Sequence, residues 1–298
     1  HIMDLVDLDS EKWSIYAEHA PWYKRWLYAR EARGVAALER TAVAQCAATI
    51  LVSDAECQAL ATECERVRAV GNGVDTDYFV PTERPADAAP SLVFTGTMDY
   101  RPNADGVCWF VREVWPDLRR AHPEVTFNIV GRDPTKAVRE LGGEPGVNVT
   151  GSVPDVRPYL AEALVAVAPL RMARGVQNKV LEAMAMGRAV VASPAAVEGL
   201  EVTPGEELLM ADAPAEWVET IDALLDGGQR RRELAQAARR RVERSYTWSA
   251  RMDRLDESIT AAAVRLGHLP PDALERRRPT TSKTPGARPV ERAGSSNP

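Results

Sequence analysis

Arg174–Ser193 reads RGVQNKVLEAMAMGRAVVAS: a short polar loop, then a helix, then an apolar strand. Val180, Leu181, Met184 and Ala185 recur at the spacing that buries one helix face. Lys179 and Glu182 share another face at the first turn. Gly175 lets the backbone approach closely whatever faces that turn. A helix N-terminus carries unpaired N–H groups and partial positive charge, which favours phosphate, and a lysine beside it adds a full charge. A carboxylate one turn in can accept hydrogen bonds from two adjacent sugar hydroxyls. Gly187 ends the helix, and Ala189–Ser193 reads as a buried parallel strand. The stretch suits docking of a nucleotide's ribose and phosphates. The plain alternative is a solvated Lys–Glu pair worth about 0.2–0.5 kcal/mol.

Working outward, 298 residues can hold one large or two ordinary domains. The 45% hydrophobic and 27% charged fractions are those of a soluble globular protein. No apolar run reaches membrane-spanning length, and no signal peptide is read at the start. Cys46, Cys57, Cys64 and Cys108 lack paired-ligand spacing and read as reduced cytosolic side chains. The histidines are scattered, so no metal site is expected. Net charge is −6, with a basic end from Gly267 onward and a more acidic body, which argues against a nucleic-acid partner.

The rhythm of the chain predicts an α/β fold. Expected strands are Leu5–Leu8, Thr49–Val52 and Val67–Val70, with a long helix over Trp22–Ala47 and a helix Ala55–Cys64 capped by Ser53-Asp54. Leu27, Ala32, Val35, Leu38 and Ala42 are the expected inner face of the long helix. Residues 81–90 are Pro/Ala/Asp-rich and read as a linker. From residue 91 to about 264, strands and helices alternate as in a doubly wound parallel sheet, with one helix expected over Asn103–Ala121. Residues 265–298 read as a disordered Pro/Arg-rich tail.

Ligands of such sheets bind beyond the carboxyl ends of the strands. Those ends read Gly96-Thr97, Gly131-Arg132, Gly151-Ser152-Val153 and Pro169-Leu170-Arg171. Arg101, Arg132, Arg171, Arg174 and Lys179 all fall on that edge, and five converging cations would suit a diphosphate. Neither a G-x-G-x-x-G after a strand nor a P-loop is present.

The runs FTGTMDYRPN, NIVGRDP, VTGSVPDVRPYLAEALVAVAPL, RGVQNKVLEAMAMGRAVVASPAAVEGL and YTWSARMDRLDESI resemble a retaining glycosyltransferase of family 4. The detail is most similar to bacterial sugar transferases of exopolysaccharide and PEP-CTERM/exosortase systems. The resemblance implies GT-B architecture, with two facing Rossmann-like domains. Residues 91–264 would be the complete C-terminal, nucleotide-sugar-binding domain, and residues 1–80 a remnant of the acceptor-side domain. It further implies that Glu182 holds the donor ribose as the second glutamate of an E-x7-E motif. Ser152 and Val153 would meet the nucleobase, and Gly96, Thr97 and Arg132 the phosphate region. Arg171, Gly175, Val176 and Asn178 would surround the sugar and diphosphate. Lys179, Arg101 and Arg174 would carry the charge of catalysis. The implied partners are a nucleotide diphosphate sugar and a glycan or lipid-linked acceptor, with no metal and no other cofactor. The implied location is the cytoplasm, with room for peripheral contact at the inner membrane face.

This chain departs from the family pattern in three places. The largest is that residues 1–80 fit only the final portion of the N-terminal domain, so the sequence is expected to be truncated at its N-terminal side. Arg174 stands where many relatives carry the first glutamate, which contacts the transferred sugar. Gly96-Thr97 lacks the arginine that commonly follows this glycine. A catalytically silent nucleotide-binding protein and, more weakly, a nucleotide-sugar 2-epimerase are the alternatives.

Overall fold

The computed structural model describes residues 1–18, 20–60, 66–85 and 88–276. The expected helix beyond residue 60, part of the expected linker and the tail from residue 277 lie outside the described residues.

Two parallel sheets organise the chain. β1 (Ile2–Val6), β2 (Ala48–Leu51) and β3 (Val67–Ala69) form a three-stranded sheet in that order. Helices α1 (Asp9–Glu18), α2 (Trp22–Gln45) and α3 (Asp54–Ala59) belong to it. β4 (Ser91–Thr95), β5 (Thr126–Val130), β6 (Val147–Gly151), β7 (Val165–Ala168), β8 (Ala189–Ala192) and β9 (Leu209–Met210) form the larger sheet. Its order is β6-β5-β4-β7-β8-β9, so the winding reverses between β4 and β7. That reversal is where doubly wound sheets open a crevice for ligands. The connecting helices are α4 (Arg101–Glu113), α5 (Trp115–Ala121), α6 (Lys136–Glu140), α7 (Arg157–Glu162), α8 (Asn178–Ala185) and α9 (Pro194–Val197). Then come α10 (Pro214–Asp226), α11 (Gly228–Ser245), α12 (Trp248–Arg265) and α13 (Ala273–Arg276). The expected α/β class with parallel sheets is the class observed.

β4, β7 and β8 are buried at every residue, as continuous apolar runs in a two-sided parallel sheet require. Phe110 of α4 packs on Phe127 of β5 with ring centroids 5.0 Å apart and on Trp217 of α10 at 5.6 Å. The single helix expected over Asn103–Ala121 breaks at Val114. Pro116 lacks an N–H and its ring would meet the carbonyl one turn back, so α5 starts afresh.

The smaller sheet has a thinner core: Leu8, Val43, Leu51, Cys57, Leu60 and Val67. The inner face of α2 differs from the expected one, because Ala32, Glu39 and Val43 are buried while Leu38 is 71% exposed. Glu39 goes inward because it accepts hydrogen bonds from the N–H and hydroxyl of Ser10 on α1 (3.1 and 2.5 Å). β1 lies nearer the start of the chain than expected. Val6 ends it at φ 63°, and the ladder to β2 shifts register between Asp4 and Val6.

The chain passes between the two units at two neighbouring points. Val74 donates its N–H to the carbonyl of Tyr246 (2.7 Å) and bridges Thr247. Beyond that crossing, residues 76–84 already lie on the larger unit. Arg239 binds the carbonyls of Thr76 and Phe79, and Arg84 binds that of Glu162. α12 then returns to the smaller sheet, where Arg265 donates to the carbonyl of Ala47 (3.0 Å). The expected disordered tail begins with ordered chain, since α13 lies within it.

Candidate functional site

A cavity of about 650 Å³ opens at the reversal between β4 and β7 and extends to the edge of the smaller sheet. That volume suits a ligand of nucleotide-sugar size. Its floor is formed by strand ends: Thr95, Gly96 and Thr97 after β4, Gly131 and Arg132 after β5, Ser152 and Val153 after β6. The glycines permit this convergence. A Cβ on Gly131 would stand 1.7 Å from the carbonyl oxygen of Gly96, so no side chain fits without moving backbone. The strand ends are stitched together by Gly96 N–H to Val130 O (3.0 Å) and Gly131 N–H to Gly151 O (3.2 Å).

One wall is the start of α8. Gln177 precedes this helix without a side-chain cap, which leaves first-turn N–H groups facing the cavity side. Its amide instead donates to the carbonyl of Arg174 (2.8 Å) and accepts from the Lys179 ammonium (3.3 Å). Lys179 and Glu182 are half-buried and both line the cavity. Burial pulls the Lys179 ammonium down to about 8, against the opposing pull of Glu182. Burial likewise pushes the Glu182 carboxyl up, while Lys179 holds it down. Among the described residues neither charge has a partner within ion-pair distance, so a bound anion would meet a lysine that gains by keeping its proton.

Of the five cations expected to converge, the structure brings three to the cavity: Arg132, Arg174 and Lys179. Arg101 instead lies over the ring of Tyr16, 5.3 Å from its centroid. Arg171 lies over Trp109 at 5.9 Å, in a different depression. Aromatic faces attract guanidinium groups, and spacing along the chain could not reveal which direction these arginines take. Arg174 reaches the cavity already engaged by Glu198 (2.7 Å) and Glu11 (3.2 Å). Val176 and Asn178 line the cavity, whereas Gly175 sits behind its wall with φ 66°.

Several lining residues escaped the reading of the sequence. Asn103 of α4 is buried, donates to the carbonyl of Thr97 (2.9 Å) and keeps its Oδ1 without a partner. Asn72 donates to the Asn178 side chain (3.2 Å) and ties the smaller unit to α8. Tyr78, capped by the Arg157 guanidinium at 3.8 Å, edges the end near Ser152 and Val153. Asp7, just after β1 of the smaller sheet, and Tyr100, in the loop between β4 and α4 of the larger unit, also line the cavity. The Asn and Tyr positions carry no local pattern; only the FTGTMDYRPN run, which holds Tyr100 and Asn103, hinted at any of them. Among the described residues no group of three or more His, Cys, Asp or Glu could hold a metal ion.

Residues 89–227 match the family described as Glycosyl transferases group 1. A search of curated proteins gives no match. Among solved structures, the chain is similar to sucrose-phosphate synthase from Thermosynechococcus elongatus, with TM-score 0.68 and 20% identity, over 88% of this chain and 68% of that one. It is similar to Anabaena Alr3699/HepE in complex with UDP-glucose, with TM-score 0.65 and 17% identity, over 87% of this chain and 72% of that one. It is also similar to WaaG, a glycosyltransferase involved in lipopolysaccharide biosynthesis, with TM-score 0.65 and 18% identity, over 88% and 74%. The domain match and these neighbours support an enzyme of the hexosyltransferase type. Over residues 89–227 the chain is thus similar to the Glycosyl transferases group 1 family, and its parallel α/β sheets have GT-B glycosyltransferases among their structural neighbours.

Proposed function

We propose that this chain binds a nucleotide diphosphate sugar in the cavity and transfers the sugar to a polysaccharide or lipid-linked acceptor, with retention at the anomeric carbon and without a metal ion. One observation carries the reading. Lys179, Glu182 and the uncapped start of α8 share one wall of a cavity at the reversal of the larger sheet. In this reading Glu182 accepts the ribose hydroxyls. Lys179, Arg132 and the α8 N-terminus take up the charge of the departing diphosphate. Ser152 and Val153 border the base, beside Tyr78.

The acceptor would approach from the smaller sheet, in exopolysaccharide assembly at the cytoplasmic face of a membrane. Among the described residues no helix is long and apolar enough to cross a bilayer. Peripheral contact is supported by the start of α2, where Trp22 is 84% and Trp26 64% exposed beside Lys24 and Arg25. Aromatic and basic side chains together favour the interface of an anionic bilayer. Flotation with phosphatidylglycerol vesicles should carry the protein up, and Trp22→Ser with Trp26→Ser should leave it at the bottom. Flotation unaffected by these changes would remove membrane contact from the proposal.

A second reading, nucleotide binding without transfer, is favoured by Arg174, held by two carboxylates where relatives place an acid. Calorimetric titration with UDP, GDP and ADP and their sugar conjugates tests the site. Selective binding weakened by Glu182→Ala is the expected result, and no binding to any of them would defeat both readings. Release of free sugar from the bound donor then separates the enzyme from the silent binder.

A further inference from the structure

Beside the cavity one buried acceptor has no donor. Asn103 lies in the first turn of α4 and is 4% exposed. Its Nδ2 donates to the carbonyl of Thr97 (2.9 Å), which fixes the sense of the amide, because the flipped form would set oxygen against oxygen. Oδ1 is therefore the atom left over, shielded from water and without a partner among the described residues. An unserved buried acceptor is destabilising, and its persistence calls for a role.

The matching surplus of donors lies next to it. Lys179 carries its ammonium over the ring of Phe94 (5.6 Å) and gives one proton to Gln177 Oε1, at a long 3.3 Å. An ammonium has three protons to give. Both side chains flank Gly96. A Cβ there would stand 2.7 Å from Asn103 Nδ2, 3.3 Å from Asn103 Cγ and 3.3 Å from Lys179 Cε. The amide and the end of the lysine thus share one small space above the β4 strand end, within a rotation about the last bonds of the lysine.

The charged groups lining the same cavity are Glu182 on the lysine's own helix, Arg132 and Arg174 after β5 and β7, Asp155 after β6 and Asp7 after β1, with the phenols of Tyr78 and Tyr100. Among the described residues none of these carboxylates pairs with the ammonium. Burial works against its charge, so a neutral acceptor within reach has a task. We propose that Asn103 is the positioning residue of Lys179: its Oδ1 takes a proton of the ammonium and holds that charge, protonated, over the β4 strand end. There it would meet the diphosphate, a consequence that rests on the reading of the cavity as a nucleotide-sugar site. The pairing of Asn103 with Lys179 does not depend on that reading.

The test is a pH titration of the full chain by NMR, with isotope-labelled lysine. The lysines are Lys12, Lys24, Lys136, Lys179 and Lys283, and Lys179→Arg identifies the signal of Lys179. Asn103→Leu, close in shape but without the acceptor, should lower the Lys179 midpoint by about one pH unit, a tenfold change in protonation of the size one hydrogen bond to a charged group provides. Asn103→Asp should raise it, because an opposite charge favours the ammonium. Melting temperatures show which variants are folded; a merely structural asparagine would lower them and leave the midpoint in place. An unmoved midpoint in folded Asn103→Leu overturns the pairing. Should that variant fail to fold, a midpoint not raised in Asn103→Asp overturns it instead. Calorimetry with UDP, GDP and ADP across the midpoint adds the ligand's side. For the nucleotide that wild type binds, the pH at which affinity begins to fall should move with the midpoint, and a profile that stays put overturns the part of Asn103 in diphosphate binding. No binding by wild type removes the nucleotide reading, while the midpoint alone still decides the pairing.

Discussion

The two units facing the cavity are built to different standards. The larger sheet carries a continuous core in which Leu92, Val93, Phe110 and Phe127 are at most 0% exposed and aromatic rings interlock. The smaller sheet rests on a few side chains, buries Glu39 in its helix packing and leaves Trp22 and Trp26 in the open. Dense packing holds strand ends and the α8 N-terminus in fixed positions, which recognition of a diphosphate demands. A thin unit costs little to shift and can adapt to a second substrate. On the proposed function the contrast divides the work: the larger unit would fix the donor nucleotide, and the smaller unit would face the second substrate.

Damage to each core should break that division if it is wrong. Phe110→Ala should cost about 3–5 kcal/mol of stability and abolish nucleotide binding near physiological temperature. Val43→Ala, in the smaller core, should cost about 1–2 kcal/mol and leave diphosphate affinity intact. Thermal unfolding and calorimetry check both, and equal loss of binding would dissolve the contrast. Next in size, Lys179→Ala should weaken diphosphate binding by about 1.5–3 kcal/mol, roughly 10- to 100-fold, without changing unfolding to the same extent.

The same lysine sharpens the comparison through pH. Its ammonium is lowered to about 8 in the empty protein by burial. A bound anion favours the charged form, so affinity should fall by about tenfold per pH unit above that value and be flat below it. Unfolding stability should move oppositely, because the buried charge is disfavoured: the penalty is present below about 8 and relieved as pH rises toward the ordinary lysine value of 10.5. Titrations between pH 7 and pH 9.5 check the first, and Lys179→Arg should flatten the profile. Smallest of all, Leu38→Lys on the open face of α2 should change stability by less than about 0.5 kcal/mol. A larger loss would mean that this face has a partner.

Much of the larger unit was legible because buried parallel strands write themselves as apolar runs ended by glycine. β8 falls within a residue of its expected bounds. Lys179 and Glu182 were legible for the same reason, since the helix that presents them follows such a strand. Directions of long side chains were not. Arg101 and Arg171 lie on the right edge of the chain but turn to Tyr16 and Trp109, partners far away in sequence. Asp7, Asn72 and Tyr78 reach the cavity only through the meeting of the two units, which no local period records. Glu39 was hidden because a charged residue reads as solvent-facing until its partner Ser10 is seen.

The paired crossing at Val74 and Thr247 constrains how the cavity can open. The outgoing and returning strands of chain lie side by side, joined by the Val74–Tyr246 hydrogen bond. Gly73 is wedged against Trp248, with a Cβ there 2.8 Å from the tryptophan Cα. A two-ply ribbon bends across its thin direction but resists twisting and sliding. Any relative motion of the two sheets is thereby expected to be chiefly a bend at this crossing, which a pair of fluorescent labels, one on each sheet, would report as a change in their distance.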